Sequence, residues 1–152
     1  MMGPQGPRVV EFNARFGDPE TQAVVPRMDF DLAAAMSACA DGNLGNAGPL
    51  KWKAEASASV VLASGGYPGG YKTGLPIHGL DKANALPGVT VFHAGTQAAG
   101  KSVLTAGGRV LSVTALGADL EQAVAHAYEA VKKIQFDGMH FRKDIGARAL
   151  VR

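Results

Sequence analysis

Three polar residues near the N-terminus, Glu11, Asn13 and Arg15, have types and a spacing that could do chemistry. The apolar residues that alternate with them predict a strand over residues 8–13, because β-branched and aromatic side chains favour extended backbone. Side chains on a strand alternate between faces, so Glu11 and Asn13 would share one face, with their Cα atoms about 7 Å apart. Their oxygens could then bind one hard cation such as Mg²⁺, and Arg15 could face a phosphate or carboxylate held there. A solvated polar strand face has the same pattern, so the spacing alone leaves both interpretations open.

The segment around these residues carries a longer signature. After the predicted strand the chain turns at residues 17–19, where Gly-Asp-Pro is a strong turn signal. The whole string VVEFNARFGDPETQAVVPRM resembles the signature of the phosphoribosylamine–glycine ligases, which are ATP-grasp enzymes of purine biosynthesis. The resemblance implies that Glu11 and Asn13 bind Mg²⁺ or Mn²⁺ at the ATP site. It also implies that Arg15 faces the acyl phosphate as a catalytic residue.

The reaction implied by this resemblance joins glycine to 5-phosphoribosylamine at the expense of ATP, through a glycyl phosphate. By the same resemblance, Asp18 and Glu20 on the loop beyond the strand orient the glycine amine or the ribose. Two adjacent cations near the C-terminus, Arg142 and Lys143, fit a solvated surface as well as a binding site. Related ATP-grasp enzymes use such a basic pair for the sugar phosphate of their substrate, which implies that these two residues bind the 5′-phosphate of 5-phosphoribosylamine.

The composition predicts a cytoplasmic protein without a nucleic-acid or membrane partner. Of the 152 residues, 47% are hydrophobic and 18% are charged, as in ordinary globular proteins. The net charge of +2 gives no special attraction to nucleic acid or to a membrane surface. The single cysteine, Cys39, excludes an intramolecular disulfide and suits a reducing cytosol. No apolar run approaches the roughly 18 residues of a transmembrane helix.

The hydrophobic pattern predicts an α+β fold in two parts. Residues 30–40 and 119–134 have the period of helices, the second with a capping-box start. Strands are predicted over residues 56–63, 75–79, 89–94 and 109–116, with a turn-rich segment NLGNAGP before them. With the resemblance, this pattern predicts the tail of an ATP-grasp domain over residues 1–48. A small β-rich, barrel-like antiparallel domain with a packed helix is predicted over residues 49–152.

The second half of the chain resembles the same family. The segments KWKAEASASVVLASGGYPGGYKTG, FHAGT, GGRVLSVTALG and FRKDIG match the C-terminal domain of the ligases in order. The resemblance covers nearly the whole chain but only about the last third of such an enzyme, whose nucleotide cleft belongs upstream. It therefore implies that the chain's main partner is a missing upstream part of the same polypeptide, and that the chain alone is inactive. The region of Val10 and Phe12 is accordingly expected to be exposed, covered by a neighbouring molecule or poorly ordered in the chain alone.

Several other motifs invite a functional interpretation but are better explained structurally. GTQAAGKS over residues 95–102 fits the P-loop pattern, yet only four residues separate it from Gly107-Gly108, too few for the helix that a P-loop needs. We expect an ordered loop between two strands there. The glycine-rich residues 65–74 favour a turn over a phosphate cradle, because Pro68 removes a donor and no helix follows. Cys39 is predicted to be a buried, inert thiol, and the four histidines lack metal-ligand spacing.

Two other functions remain open from the sequence. The chain could be part of a different ATP-grasp ligase, such as a carboxylase, which would share the metal and phosphate chemistry. It could also be a non-catalytic β-rich interaction module in which the E-x-N spacing is accidental. The substrates that stimulate ADP release would separate these alternatives from a glycine ligase.

Overall fold

The computed structural model describes residues 2–10, 12 and 14–151. It has an α+β fold with antiparallel sheets and a few helices, as predicted. Single 3₁₀ turns cover Val25–Arg27 and Leu44–Ala47. The remaining elements are, in chain order, β1 (Met2–Gly3), β2 (Gly6–Pro7), α1 (Glu20–Val24), α2 (Leu32–Ala40), β3 (Ala56–Ala63), β4 (Pro76–Ile77), α3 (Leu80–Asn84), β5 (Val89–His93), β6 (Thr96–Ala99), β7 (Ser102–Thr105), β8 (Arg109–Gly117), α4 (Leu120–Val131) and α5 (Ala147–Leu150).

The strands that the structure describes form two three-stranded sheets and one short hairpin. In the main sheet β8 lies between β3 and β5, and both pairings are antiparallel. Val113 in the middle of β8 is opposite Val60 on one side and Val91 on the other. The second sheet has the order β4-β7-β6, and β1 pairs with β2. The predicted strand over residues 56–63 is confirmed, and the one predicted over residues 109–116 extends by one residue.

Helix α4 covers the main sheet and closes the core. Its start is capped as predicted, because the Asp119 carboxylate accepts a hydrogen bond of 2.8 Å from the Gln122 amide. The buried residues of the helix are Ala123, Ala127, Ala130 and Val131, and three of the four are alanines. Small side chains let the helix backbone approach the strands closely. The closest approach is at Gly117, where a Cβ atom would lie 2.3 Å from the Ala123 nitrogen, so only glycine fits there.

The strand predicted over residues 8–13 is wrong for the residues that the structure describes there. Arg8, Val9, Val10 and Phe12 lie outside any strand. The side chains of Val10 and Phe12 are 70% and 90% exposed, as expected. A strand needs a neighbour to pair its N–H and C=O groups, and none of the described strands pairs with this segment. Residues 11 and 13 lie outside the described part of the chain.

Helix α2 begins at Leu32, two residues after the predicted start, and ends at Ala40 as predicted. The Asp31 carboxylate caps it by accepting a hydrogen bond of 3.0 Å from the Ala34 amide. The predicted burial of Cys39 is wrong, because this thiol is exposed and Met36 is 52% exposed. The buried residue of the helix is Ala35. A helix with so many alanines has apolar side chains on every face, so the sequence pattern did not identify the buried side.

Residues 95–102 form a β-hairpin instead of the predicted loop between strands. Strands β6 and β7 pair with Ala99 opposite Ser102, and Gly100 at the tip has a φ of 60°. A positive φ in the first central residue of a two-residue turn favours glycine. Lys101 is exposed at the same tip. The rejection of a P-loop is confirmed, because a strand and not a helix follows the GKS sequence.

The residues before and after position 48 are hydrogen-bonded to each other. The Lys53 amide donates to the Arg27 carbonyl at 2.8 Å, and the Asp29 amide donates to the Lys51 carbonyl at 3.0 Å. Helix α1 contacts β3. The domain boundary between residues 48 and 49 stays a prediction. None of the helices that the structure describes has the length and apolar character needed to cross a membrane.

Replacing Leu62 with alanine should destabilise the fold strongly. Leu62 in β3 is completely buried between the main sheet and α4, so the change removes apolar contacts and leaves a cavity. We expect the free energy of unfolding to fall by about 2–5 kcal/mol in urea titrations. The matched control is Leu44→Ala, at a leucine that is 46% exposed, which should change stability by no more than about 0.5 kcal/mol. Equal effects of the two substitutions would contradict this core.

Candidate functional site

The turn predicted at residues 17–19 leads directly into helix α1. The Thr21 amide donates a hydrogen bond of 3.1 Å to the Gly17 carbonyl, which closes the turn. Glu20 is the first residue of α1. The sequence-based prediction that Glu20 lies on a loop is therefore wrong. The reason is local, because a proline before an acidic residue is a common start of a helix. Asp18 remains at the turn, beside the first residue of the helix.

Asp18 is held by an ion pair with Arg109, the first residue of β8. Arg109 Nη2 donates to Asp18 Oδ2 at 2.8 Å, and the Gln22 amide group donates to the other carboxylate oxygen at 3.3 Å. The two charged side chains are 42% and 53% exposed, so solvent screens their attraction. The pair joins the turn after the predicted metal-binding segment to the central strand of the main sheet.

Arg15 is exposed, and its Nη1 atom donates a hydrogen bond of 2.8 Å to the carbonyl of Phe16. No hydrogen bond or ion pair between described residues joins Arg15 or Asp18 to the basic pair near the C-terminus. The structure thus shows two separate groups of predicted site residues, one around residues 15–20 and one around residues 142–143. Within the described ranges, no three His, Cys, Asp or Glu side chains are grouped to hold a metal ion. Glu11 and Asn13 lie outside the described residues. By their chemistry, a carboxylate and an amide oxygen are ligands that suit Mg²⁺.

Arg142 is already engaged by a carboxylate that sequence analysis did not consider. Its Nε and Nη2 atoms donate to the two carboxylate oxygens of Asp144 at 2.9 and 2.7 Å. The Arg142 carbonyl accepts a hydrogen bond of 2.8 Å from the Tyr128 hydroxyl of α4, and the same hydroxyl accepts one of 3.1 Å from the Ile145 amide. Lys143, which lies between Arg142 and Asp144 in the sequence, is exposed. Tyr128 therefore fixes the backbone of residues 142–145, here called the basic tail, while the guanidinium of Arg142 stays at the surface.

A glycine-rich loop over residues 64–74 lies against the residues that precede Arg109. The Ser64 amide donates to the Gly108 carbonyl and the Ser64 hydroxyl to the Gly107 carbonyl, both at 2.8 Å. The ring of Tyr67 covers Gly108 so closely that a Cβ atom there would lie 2.1 Å from the ring. The segment 107–109 therefore supports the glycine loop on one side and holds Asp18 on the other.

Sequence analysis missed Arg109 and Asp144 as partners of predicted site residues. Asp144 follows Arg142 by two positions, so an ion pair could have been suspected from spacing alone. Arg109 is 91 residues away from Asp18 along the chain. The sequence shows only that Arg109 is a positively charged residue at the start of an apolar strand, and this does not identify Asp18 as its partner.

The Asp18–Arg109 pair should show a small, salt-sensitive coupling. In a double-mutant cycle of Asp18→Asn and Arg109→Gln, we expect a coupling in the free energy of unfolding of about 0.2–1 kcal/mol, as for other exposed pairs. The coupling should shrink as salt is added. Asp41→Asn combined with Arg109→Gln is the matched control and should be additive. Additivity of the Asp18 and Arg109 substitutions at low salt would contradict the pair.

The hydrogen bonds from Arg142, aided by its positive charge, hold the pKa of Asp144 below its usual range, and the same hydrogen bonds together with the negative charge of Asp144 raise the pKa of Arg142. A carboxylate whose pKa is lower in the folded state contributes stability above its unfolded pKa, and loses it as the pH falls through the folded pKa. The loss should therefore appear only below about pH 4. In NMR titrations Arg142→Gln should raise the Asp144 pKa toward the usual value, whereas the control Lys143→Gln should change it far less.

Comparisons with known proteins agree in assigning this chain to one family. Residues 57–148 match the family described as "Phosphoribosylglycinamide synthetase, C domain". The phosphoribosylamine–glycine ligase of Synechocystis is 52% identical over 151 residues, covering 99% of this chain and 36% of the ligase. The ligase of Streptomyces coelicolor is 54% identical over 147 residues, covering 95% of this chain and 35% of that protein.

The fold agrees with the same assignment. The crystal structure of the phosphoribosylamine–glycine ligase of Thermotoga maritima superimposes with a TM-score of 0.76 at 30% identity, over 95% of this chain and 34% of that one. The chain thus spans about a third of the length of the relatives it matches. The glycine loop, strand β8, helix α4 and the basic tail all lie inside the matched residues 57–148. The chain belongs to the phosphoribosylglycinamide synthetase C-domain family.

Proposed function

We propose that this chain forms the C-terminal third of a phosphoribosylamine–glycine ligase, which makes glycinamide ribonucleotide in purine biosynthesis. The observation that carries the proposal is the 52% identity to the Synechocystis ligase over 99% of this chain. The aligned 151 residues include nearly all of the first 48 residues, and not only the matched residues 57–148. The α+β fold and the superposition on the Thermotoga maritima ligase support the same function.

The proposed reaction has two steps. A carboxylate oxygen of glycine first attacks the γ-phosphorus of ATP, which forms glycyl phosphate and releases ADP. The amine of 5-phosphoribosylamine then attacks the glycyl carbonyl carbon. The carbon–oxygen bond to phosphate breaks, inorganic phosphate leaves, and the new amide nitrogen loses a proton. Both steps develop negative charge on phosphate oxygens, so a site for them needs cations and hydrogen-bond donors.

Glu11 and Asn13 would hold Mg²⁺ or Mn²⁺, which when bound neutralises charge on the ATP phosphates. The guanidinium of Arg15 would stabilise the glycyl phosphate, since a planar cation can donate two hydrogen bonds to an oxyanion. Its present acceptor is a backbone carbonyl at the surface. Exchanging that neutral acceptor for a phosphate would strengthen the hydrogen bond, because both partners would then be charged.

Asp18 and Glu20 would orient the glycine amine or the ribose from the turn and the first residue of α1. The ion pair with Arg109 limits how far Asp18 can move, so Arg109 would act as a positioning residue. Arg142 and Lys143 would bind the 5′-phosphate. Lys143 is exposed, whereas Arg142 would have to share its guanidinium between the phosphate and Asp144.

We further propose that residues 1–48 complete an ATP-grasp domain and that residues 49–152 form the C-terminal domain of the ligase. The family match over residues 57–148 supports this division, because it lies entirely in the second part. The enzyme would act in the cytoplasm on three small substrates, 5-phosphoribosylamine, glycine and ATP. The main protein partner would be the upstream part of the same polypeptide.

A chimera tests the proposed function directly. In the Synechocystis ligase, the third that matches this chain would be replaced by this chain, and ADP release would be measured with each substrate omitted in turn. We expect ADP release to need both glycine and 5-phosphoribosylamine. The chain alone should show no ATP hydrolysis, since it spans about a third of such an enzyme. A folded chimera that responds to bicarbonate instead, or to no acid or amine, would contradict the proposal.

Glu11→Gln and Asn13→Ala in this chimera should reduce turnover far more than stability. Losing one metal ligand weakens a charge-stabilising interaction that matters mainly in the transition state. We expect kcat to fall at least a hundredfold, while the melting temperature stays close to that of the parent chimera. The control is Lys101→Ala at the tip of the β6–β7 hairpin, which should leave kcat nearly unchanged. Unfolding of the Glu11 and Asn13 variants would instead indicate a structural role.

A further inference from the structure

A cavity of about 400 Å³ opens at the surface between helix α1 and strand β3. It is called the Trp52 groove here, and its lining residues are Ala23, Val24, Arg27, Trp52 and Ser57. The two sides of the groove are joined, because the Ser57 hydroxyl of β3 donates a hydrogen bond to the Ala23 carbonyl of α1. None of these residues has a role in the proposed reaction. Three observations indicate that a protein surface covers this groove.

The first observation is that the groove leaves large apolar side chains in solvent. Trp52 is 51% exposed and Val24 is 39% exposed. The ring of Phe30 meets the Trp52 ring edge to face at 5.8 Å, so the indole is held in place although half of the residue is open to solvent. A fixed tryptophan beside an exposed aliphatic side chain is typical of the centre of a protein–protein interface.

The second observation is an arginine whose hydrogen bonding is incomplete. Arg27 Nε is buried and has no hydrogen-bond partner among the described residues. Arg27 Nη2 donates to the Lys53 carbonyl at 3.3 Å, and Lys53 Nζ donates to the Pro26 carbonyl at 2.9 Å. No carboxylate within the described ranges forms an ion pair with either cation. A buried donor without an acceptor is destabilising, so an acceptor from outside the chain would stabilise this arrangement.

The third observation is how much of its relatives' length lies outside this chain. The chain spans 36% of the Synechocystis ligase and 34% of the Thermotoga maritima ligase. About two thirds of such a protein is therefore available to pack on the chain's surface. The groove lies where the two proposed domains meet, since Val24 and Arg27 belong to residues 1–48 and Trp52 to residues 49–152. Interfaces between domains of one chain resemble those between proteins.

We propose that the Trp52 groove binds the upstream part of the same polypeptide. That part packs an apolar side chain against Trp52 and Val24 and presents a carboxylate to Arg27. A carboxylate fits because Arg27 and Lys53 donate to neutral carbonyls here, and a hydrogen bond between charged partners is stronger. The inference rests on the proposed function, since a ligase supplies the upstream part, and it deepens that function by naming the surface that binds it.

Oxidative labelling by hydroxyl radicals, measured by mass spectrometry, tests the groove at Trp52, the single tryptophan of the chain. The 152-residue chain is compared with the folded chimera that joins it to the upstream part of the Synechocystis ligase. We expect Trp52 to be oxidised about fivefold or more slowly in the chimera, because a packed interface excludes water. His126, which is exposed on α4 outside the groove, is the control and should react equally in both proteins. Equal oxidation of Trp52 in the two proteins would overturn the proposal.

Charge reversal at Arg27 tests the carboxylate. Arg27→Glu should raise the oxidation of Trp52 in the chimera more than Arg27→Gln does, because it sets two carboxylates against each other. The matched control is Lys101→Glu at the tip of the β6–β7 hairpin, which should leave the rate unchanged. Equal effects of Arg27→Glu and Arg27→Gln would contradict a carboxylate partner. If the Arg27 variants do not fold, Lys53→Glu and Lys53→Gln make the same comparison at the second cation.

A second copy of this chain is the alternative occupant of the groove. In that case, Trp52 in the chain alone would become protected as the protein concentration rises, and sedimentation would show a dimer. Either result would refute binding of the upstream part as the reason for the exposed groove. We expect a monomer whose Trp52 oxidation does not depend on concentration.

The groove and the ligase function fail in different ways. A chimera that releases ADP with glycine and 5-phosphoribosylamine, but leaves Trp52 as reactive as in the chain alone, would refute the groove and not the function. A folded chimera that protects Trp52 but does not respond to these substrates would refute the function and support the groove.

Discussion

Strand β8 is hydrogen-bonded along both edges, and the positions of the other functional elements depend on this pairing. Its neighbours β3 and β5 fix its register, so its first and last residues are fixed in space. At its start, the segment 107–109 supports the glycine loop and holds Asp18 through Arg109. At its end, Gly117 lets the first turns of α4 approach the sheet. Through Tyr128, α4 in turn fixes the backbone of the basic tail. Strand β8 therefore supports the glycine loop and the turn that carries Asp18 directly, and it supports the basic tail through α4.

Elements with a strong local signal could be predicted from the sequence. Strand β3 and helix α4 each combine a clear hydrophobic period with turn or capping residues, and the Asp119 cap is present as expected. The errors occur where the deciding information is not local. The strand predicted over residues 8–13 depends on a neighbouring strand, and the inward face of α2 depends on what packs against an alanine-rich helix. The β6–β7 hairpin was missed because its strands are short and its turn sequence matches a P-loop.

The residues of the candidate site were proposed from the sequence, whereas their contacts could not be predicted from it. Glu11, Asn13 and Arg15 were identified from their spacing and a long resemblance. No local pattern could show that Asp18 pairs with a residue 91 positions away. The contact between the glycine loop and the C-terminal tail also needed coordinates, because Gly65 meets Gly138 only after β3 and the tail are brought together by the pairing of Ala63 with His140. Long-range contacts of this kind follow from the whole fold and not from any segment.

We propose that this chain completes a ligase that activates the carboxylate of glycine as an acyl phosphate. The most direct measurement uses glycine with oxygen-18 in its carboxylate, and follows the label by mass spectrometry in the chimera that carries this chain. If glycyl phosphate forms, one labelled oxygen is transferred from glycine to each inorganic phosphate released. Phosphate without the label, formed together with glycinamide ribonucleotide, would contradict the account.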